Sequence, residues 1–132
     1  MNRIVTVLAA GLVAQALGGA AAAAPTAPAN SCFRTSDMRN HTVVDDHTIY
    51  VDVGGRGIYR ITAAGRCFAG MFPTDPLVIG TTASSGYVCK PIDLDLGVRN
   101  GGANGITTPC IVNGFSRLTA AEAAAIPKKL KP

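Results

Sequence analysis

The sequence predicts a mainly β domain with a short C-terminal helix, braced by two disulfides, and three observations carry that prediction. Thr48 to Val53 alternates Ile49, Val51 and Val53 against Thr48, Tyr50 and Asp52, the period of two that a half-buried strand requires. Short apolar stretches of this kind are separated by turn residues, mostly Gly, Asn, Ser and Pro. The four cysteines, Cys32, Cys67, Cys89 and Cys110, are an even set spread along the body of the chain. The expected architecture is a small antiparallel sheet or barrel-like meander of about five to seven short strands.

In chain order, the first strand opens at Cys32 and Phe33 and continues to Val44. Thr48 to Val53 follows, then a loop of Gly54, Gly55, Arg56 and Gly57 able to take positive φ, then a return strand from Ile58 to Ala63; together they make a hairpin. Leu77 to Thr82 and Tyr87 to Val98 bracket the turn Ala83 to Gly86 and predict a second hairpin. Its return strand places Ile92, Leu94 and Leu96 on one face and Asp93 and Asp95 on the other. Pro91 lacks a ladder donor, so this strand is expected at an edge or with a bulge. Arg99 to Gly105 reads as a mobile loop, rich in Gly and Asn. Ile106 to Leu118 is the last strand, made irregular by Pro109 and the Asn113-Gly114 pair. Thr119 caps a short helix: Glu122 stands three residues on, as a capping box requires, Ala120 to Ala125 are good helix formers, and Pro127 ends it. Residues 128–132 form a basic tail.

The N-terminus has the three parts of an export signal: a positive start at Arg3, an apolar run from Ile4 to Leu17, and small residues from Gly18 to Ala24. Residues 1–23 are therefore read as a cleaved signal peptide. Pro25 is a poor residue just after a cut, which favours cleavage after Ala22 or Ala23. A retained anchor is disfavoured because Gly18, Gly19 and the alanines suit a membrane helix poorly and no positively charged stop follows; no membrane span is expected after cleavage. Cys32, preceded by Ala29, Asn30 and Ser31, is a poor lipidation site. Residues 24–31, rich in Pro and Ala, make a spacer, and residues 32–127 make a single domain.

Composition excludes several classes. The formal charge of +4 falls to +3 without Arg3, and Lys128, Lys129 and Lys131 hold much of the remainder, so the body is near neutral. The seven aromatics are not interleaved with basic residues, and no nucleic-acid partner is expected. The cysteines stand 35, 22 and 21 residues apart, with no Cys-x-x-Cys pair and no nearby His, which excludes a zinc ribbon, a redox centre and haem attachment. In an exported chain, four such cysteines form two structural disulfides, in any of three connectivities. No cofactor is expected.

Several stretches carry a family resemblance: the Cys32-Phe33 opening, Asp45-Asp46 before Thr48 to Val51, the strand from Tyr59 to Cys67, and the cysteine-bearing stretches Gly86 to Asp93 and Pro109 to Leu118. In these the chain resembles small exported proteobacterial proteins that carry a domain of unknown function. Members place an aromatic before the acidic pair, where this chain has Thr42 and Val43. The resemblance implies a four-cysteine, mainly β exported protein and brings no mechanism with it.

Candidate sites are few. His41, Asp45 and His47 have the ligand types for a divalent metal; an ordinary polar turn entering the Thr48 strand explains them equally. Asp93 and Asp95 point the same way from one predicted strand, about 7 Å apart, a spacing that hydrolases use; as charges on an edge strand they block unwanted pairing. Ser116, in Gly114-Phe115-Ser116-Arg117-Leu118, lacks the second glycine of a nucleophile elbow, and Gly54 to Gly57 and Gly101 to Gly105 lack the helix and lysine of a phosphate loop. No constellation commits to a chemistry. The leading expectation is a small exported envelope protein, periplasmic or secreted, acting as a non-catalytic binding or structural module toward an envelope protein or ligand. Two alternatives stay open: a metal-binding protein or hydrolase using His41, Asp45 and His47, and a secreted enzyme inhibitor presenting the Arg99 to Gly105 loop.

Overall fold

A computed structural model describes residues 32–72, 75–100 and 105–132. The predicted leader and spacer lie outside these residues, as do residues 101–104 of the predicted loop. The described chain forms strands β1 (Phe33–Arg34), β2 (Met38–Val43), β3 (Thr48–Val53), β4 (Gly57–Ala63), β5 (Leu77–Thr81), β6 (Tyr87–Val88), β7 (Leu94–Asn100), β8 (Ile106–Cys110) and β9 (Val112–Arg117), then helix α1 (Ala120–Ala125). They pair into three antiparallel sheets, ordered β2-β3-β4-β9, β5-β7-β8 and β1-β6. The mainly β class, the C-terminal helix and the two disulfides are as the sequence predicts.

The β3–β4 hairpin shows why the pattern folds as it does. Val53 pairs with Gly57, the Arg56 N–H donates to the Val53 carbonyl at 2.8 Å, and Gly55 and Gly57 take φ of 73° and 97°, where a side chain is strained. From that turn, Ile49, Val51 and Val53 on β3 and Tyr59, Ile61 and Ala63 on β4 all face inward and are buried. Leu94, Leu96 and Val98 on β7 face them, and Phe33, Phe68 and Val88 join the same core. Phe33 packs edge-on against Tyr59 and Phe115, with ring centroids 5.0 and 5.6 Å apart.

The two larger sheets are joined through one stretch of chain. Cys110 pairs with Leu96 at the end of β8, Val112 pairs with Ala63 at the start of β9, and the Ile111 carbonyl accepts from the Ala64 N–H at 2.8 Å. The strand expected from Ile106 to Leu118 is therefore two strands with a bend at Ile111, each half serving a different sheet. Followed through that bend, the strand order runs β2-β3-β4-β9/β8-β7-β5, with every neighbouring pair antiparallel. Its ends approach each other, since His41 Nε2 on β2 lies 2.8 Å from the carbonyl of Asp75, just before β5.

The other departures from expectation have local causes. The stretch from Cys32 to Val44 is broken by a 3-10 turn at Thr35–Asp37, so β1 and β2 join different sheets. The return strand expected from Tyr87 to Val98 is divided by a second 3-10 turn at Pro91–Asp93, where Pro91 offers no donor and the Asp93 carboxylate accepts from the N–H groups of Cys89 (3.0 Å) and Lys90 (2.9 Å). β6 then pairs with β1, while β7 continues as the middle strand of its sheet rather than an edge. Ile92, expected on the core face, is 78% exposed because the turn takes it out of register. Arg99 and Asn100 belong to β7, opposite Thr107 and Ile106, and not to a loop. Within the predicted basic tail, Lys128–Leu130 forms a 3-10 turn with its lysines exposed.

The disulfides are Cys32–Cys89 and Cys67–Cys110. The first continues the β1–β6 ladder by one residue. The second ties the segment after β4 to the last residue of β8, one position before the bend. Their closed segments of 57 and 43 residues each remove roughly 4 kcal/mol of chain entropy from the unfolded state. Replacing Cys67 and Cys110 together by Ala is expected to lower stability in urea by about 4 kcal/mol. Ile61→Ala, which empties a fully buried site, is expected to cost about 2–5 kcal/mol. Values near zero in equilibrium unfolding would contradict these assignments.

Candidate functional site

A concavity among the described residues arises where the bent strand leaves its partner. β7 pairs with β8 only from Leu96 onward, so among the described residues Leu94 and Asp95 have a strand neighbour on the β5 side alone. Past Cys110 the chain turns away to pair with β4, and a cleft of about 500 Å³ opens between the two diverging strands. Its floor comes from Leu94, Cys110 and Val112, all buried, and its walls include Thr82, Pro91, Ile92, Asp95, Ile111 and Asn113. Ile92 and Ile111 stand at 78% and 74% exposure. A large aliphatic side chain held in water is ordinary when isolated; here two stand on the walls of one apolar-floored cleft.

The two isoleucines are held out by polar bonds. The Ile92 carbonyl accepts from Thr82 Oγ1 at 2.9 Å, and the Thr82 N–H donates to the Asp93 carbonyl at 3.0 Å. On the facing wall, the Ala64 N–H fixes the Ile111 carbonyl and so the direction of its side chain. Asp95 is the one charged residue of the lining and forms no ion pair among the described residues. Its carboxylate lies over Gly80 of β5, with Oδ2 3.4 Å from where a glycine Cβ would sit.

The residues singled out from sequence have other places. His41 sits on β2 with Nε2 against the Asp75 carbonyl, so that nitrogen carries the proton. His47 lies in the β2–β3 turn, its N–H donating to Asp45 Oδ1 at 2.8 Å, and Asp46 holds Arg66 at 2.6 Å. Among the described residues no group of three or more His, Cys, Asp and Glu is placed to hold a metal. Asp93 and Asp95 do not share one strand: the first caps a 3-10 turn and the second lines the cleft. Ser116 pairs with Arg60 across the β4–β9 ladder. Ile92 and Ile111 escaped the sequence reading, although Pro91 with Asp93 two residues later was a signal for the turn that exposes Ile92.

Electrostatics elsewhere serve structure. Burial pushes the Tyr59 hydroxyl above its ordinary pKa, against the opposing pull of Arg117 and Arg56, so it stays protonated. Glu122 is held below its ordinary value, first by the Thr119 N–H at 2.8 Å, then by the Thr119 hydroxyl, with Arg60 adding a smaller pull. Comparison with known proteins returns no relative: no family model, curated protein or solved structure matches the chain.

The capping box gives a pH dependence of known sign. A carboxylate whose folded pKa is depressed stabilises the fold above its unfolded value and loses that contribution as pH falls through the folded value. Helix α1 is therefore expected to fray as pH drops below about 4.5, the unfolded value, and Glu122→Gln is expected to remove that step. Amide shifts of Ala120 to Ala125 followed by NMR check this; a step that persists in the Gln variant would contradict it.

Proposed function

We propose that this chain is an exported, non-catalytic binding protein, periplasmic or secreted, that seats an apolar ligand in the cleft between β7 and β9. The observation that carries the reading is the pair Ile92 and Ile111, both exposed on the walls of one cleft with a buried apolar floor. The polar groups that could suggest chemistry have structural work instead: Asp93 caps a 3-10 turn, Glu122 caps helix α1, Asp45 closes the β2–β3 turn, and His41 links β2 to the segment before β5.

Two disulfides fit an oxidising compartment, and among the described residues no helix is long and apolar enough to cross a membrane. The leader-like residues 1–23 and the resemblance to small exported proteobacterial proteins support export. Protein recovered from an envelope fraction is expected to begin at Ala23 or Ala24 by intact mass; an uncleaved Met1 would oppose export.

An environment-sensitive apolar dye, such as an anilinonaphthalene sulfonate, tests the seat. Binding to the folded protein is expected, weakened about tenfold or more by Ile92→Ser with Ile111→Ser, since each removes a wall side chain worth roughly 1 kcal/mol or more. Both positions are exposed, so the fold should survive, as unchanged circular dichroism would show. Dye binding that ignores both substitutions would place the seat elsewhere.

A further inference from the structure

We infer that the turn end of the β3–β4 hairpin holds a second binding site, in which Arg117, Arg56 and the Tyr59 hydroxyl converge on a tetrahedral oxyanion of the phosphate or sulfate class. The site is separate from the cleft, whose lining includes none of the three. Strand pairing brings two of them together. Arg117 on β9 stands directly opposite Tyr59 on β4. The adjacent Ile58 and Leu118 carry a ladder bond, from the Leu118 N–H to the Ile58 carbonyl at 2.8 Å, so Tyr59 and Arg117 form the closer, non-hydrogen-bonded kind of pair, with both side chains on one face. Arg117 lies over the turn, its Nε and Nη2 3.5 and 3.7 Å from where a Gly57 Cβ would sit. Arg56 comes from the turn itself and is anchored on its other side. Its Nη1 donates to the Cys32 carbonyl at 3.0 Å, and its Nε is 3.9 Å from Asp37 Oδ2. Cys32 precedes Phe33, whose ring packs on Tyr59 at 5.0 Å, so this anchor keeps Arg56 near the tyrosine.

Three features set this place apart from scattered surface charge. The first is the tyrosine. Its ring is buried, with the residue 1% exposed, yet its hydroxyl bonds to no described residue and reaches the surface. A core tyrosine ordinarily finds its hydroxyl a partner within the fold. Burial keeps this one protonated against the pull of Arg117 and Arg56, so it presents an O–H beside two guanidiniums. The second is an excess of positive charge. Arg39 lies over Gly54 across the same turn, and among the described residues Asp37 is the one carboxylate within ion-pair distance of Arg39, Arg56 or Arg117. The third is the donor set. Two guanidinium forks and a phenol supply N–H and O–H donors from three chain positions, which suits the several acceptor oxygens of a phosphate or sulfate better than the two of a carboxylate.

The test titrates the intact disulfide-bonded protein, labelled with nitrogen-15, with inorganic phosphate, sulfate, methyl phosphate and acetate at constant ionic strength, followed by NMR. Phosphate and sulfate are expected to move the Arg117 and Arg56 Nε–H signals and the Gly57 amide saturably, while Arg66, already paired with Asp46, stays in place. Arg117→Gln is expected to weaken binding at least tenfold. Tyr59→Phe is expected to weaken it several-fold with stability in urea unchanged, because the hydroxyl has no partner in the fold to lose. Methyl phosphate bound as well as inorganic phosphate marks an esterified group as the source, weaker binding marks the free ion, and both keep the site. Unsaturated shifts shared by Arg66 and the lysines would show charge screening only and overturn the inference. So would affinity retained in Tyr59→Phe or Arg117→Gln, a loss of stability in Tyr59→Phe, or acetate bound as tightly as phosphate.

Discussion

One strand serving two sheets is the constraint on which the rest of the structure depends. From Ile106 to Arg117 the chain first completes the β5-β7-β8 sheet and then, after a single residue, the β2-β3-β4-β9 sheet. Because both halves belong to one backbone, the facing surfaces of the two sheets must close on a common core. Cys67–Cys110 fixes the bend, tying it to the chain that follows β4. The cleft opens at the same bend, where the chain leaves β7 and turns to pair with β4.

The second bridge works at the opposite end of the chain. β1 and β6 are two residues each, too short to pair stably alone, and Cys32–Cys89 extends their ladder covalently. That contact brings Phe33 into the core against Tyr59 and Phe115. It also sets the position from which Lys90, Pro91 and Asp93 form the capped turn that holds Ile92 outward. Each bridge therefore stands next to one of the two isoleucines of the cleft.

How much of this was legible from sequence depends on how local the cause was. The β3–β4 hairpin was readable because strict alternation and a Gly-rich turn both lie within a few residues of each other. The α1 capping box was readable for the same reason: Thr119 and Glu122 are three apart and carry their own bonding logic. The division of the Tyr87 to Val98 stretch was not, because alternation of Ile92, Leu94 and Leu96 suited a single strand and only the β1 pairing, set from the other end of the domain, decides otherwise. The bend at Ile111 is likewise tertiary; Pro109 and Asn113-Gly114 announced irregularity but not a change of sheet. The disulfide pairing was open among three connectivities for the same reason, and the cleft, made by that bend and that turn together, had no signal of its own beyond Pro91 and Asp93.

The most direct measurement is proteolytic peptide mapping of the non-reduced protein by mass spectrometry. If the two sheets share the bent strand as described, the map contains a Cys67–Cys110 cross-link and a Cys32–Cys89 cross-link and no free thiol. A Cys67–Cys89 or Cys32–Cys110 peptide would place the bend, the sheet pairing and the cleft in a different arrangement and contradict the account.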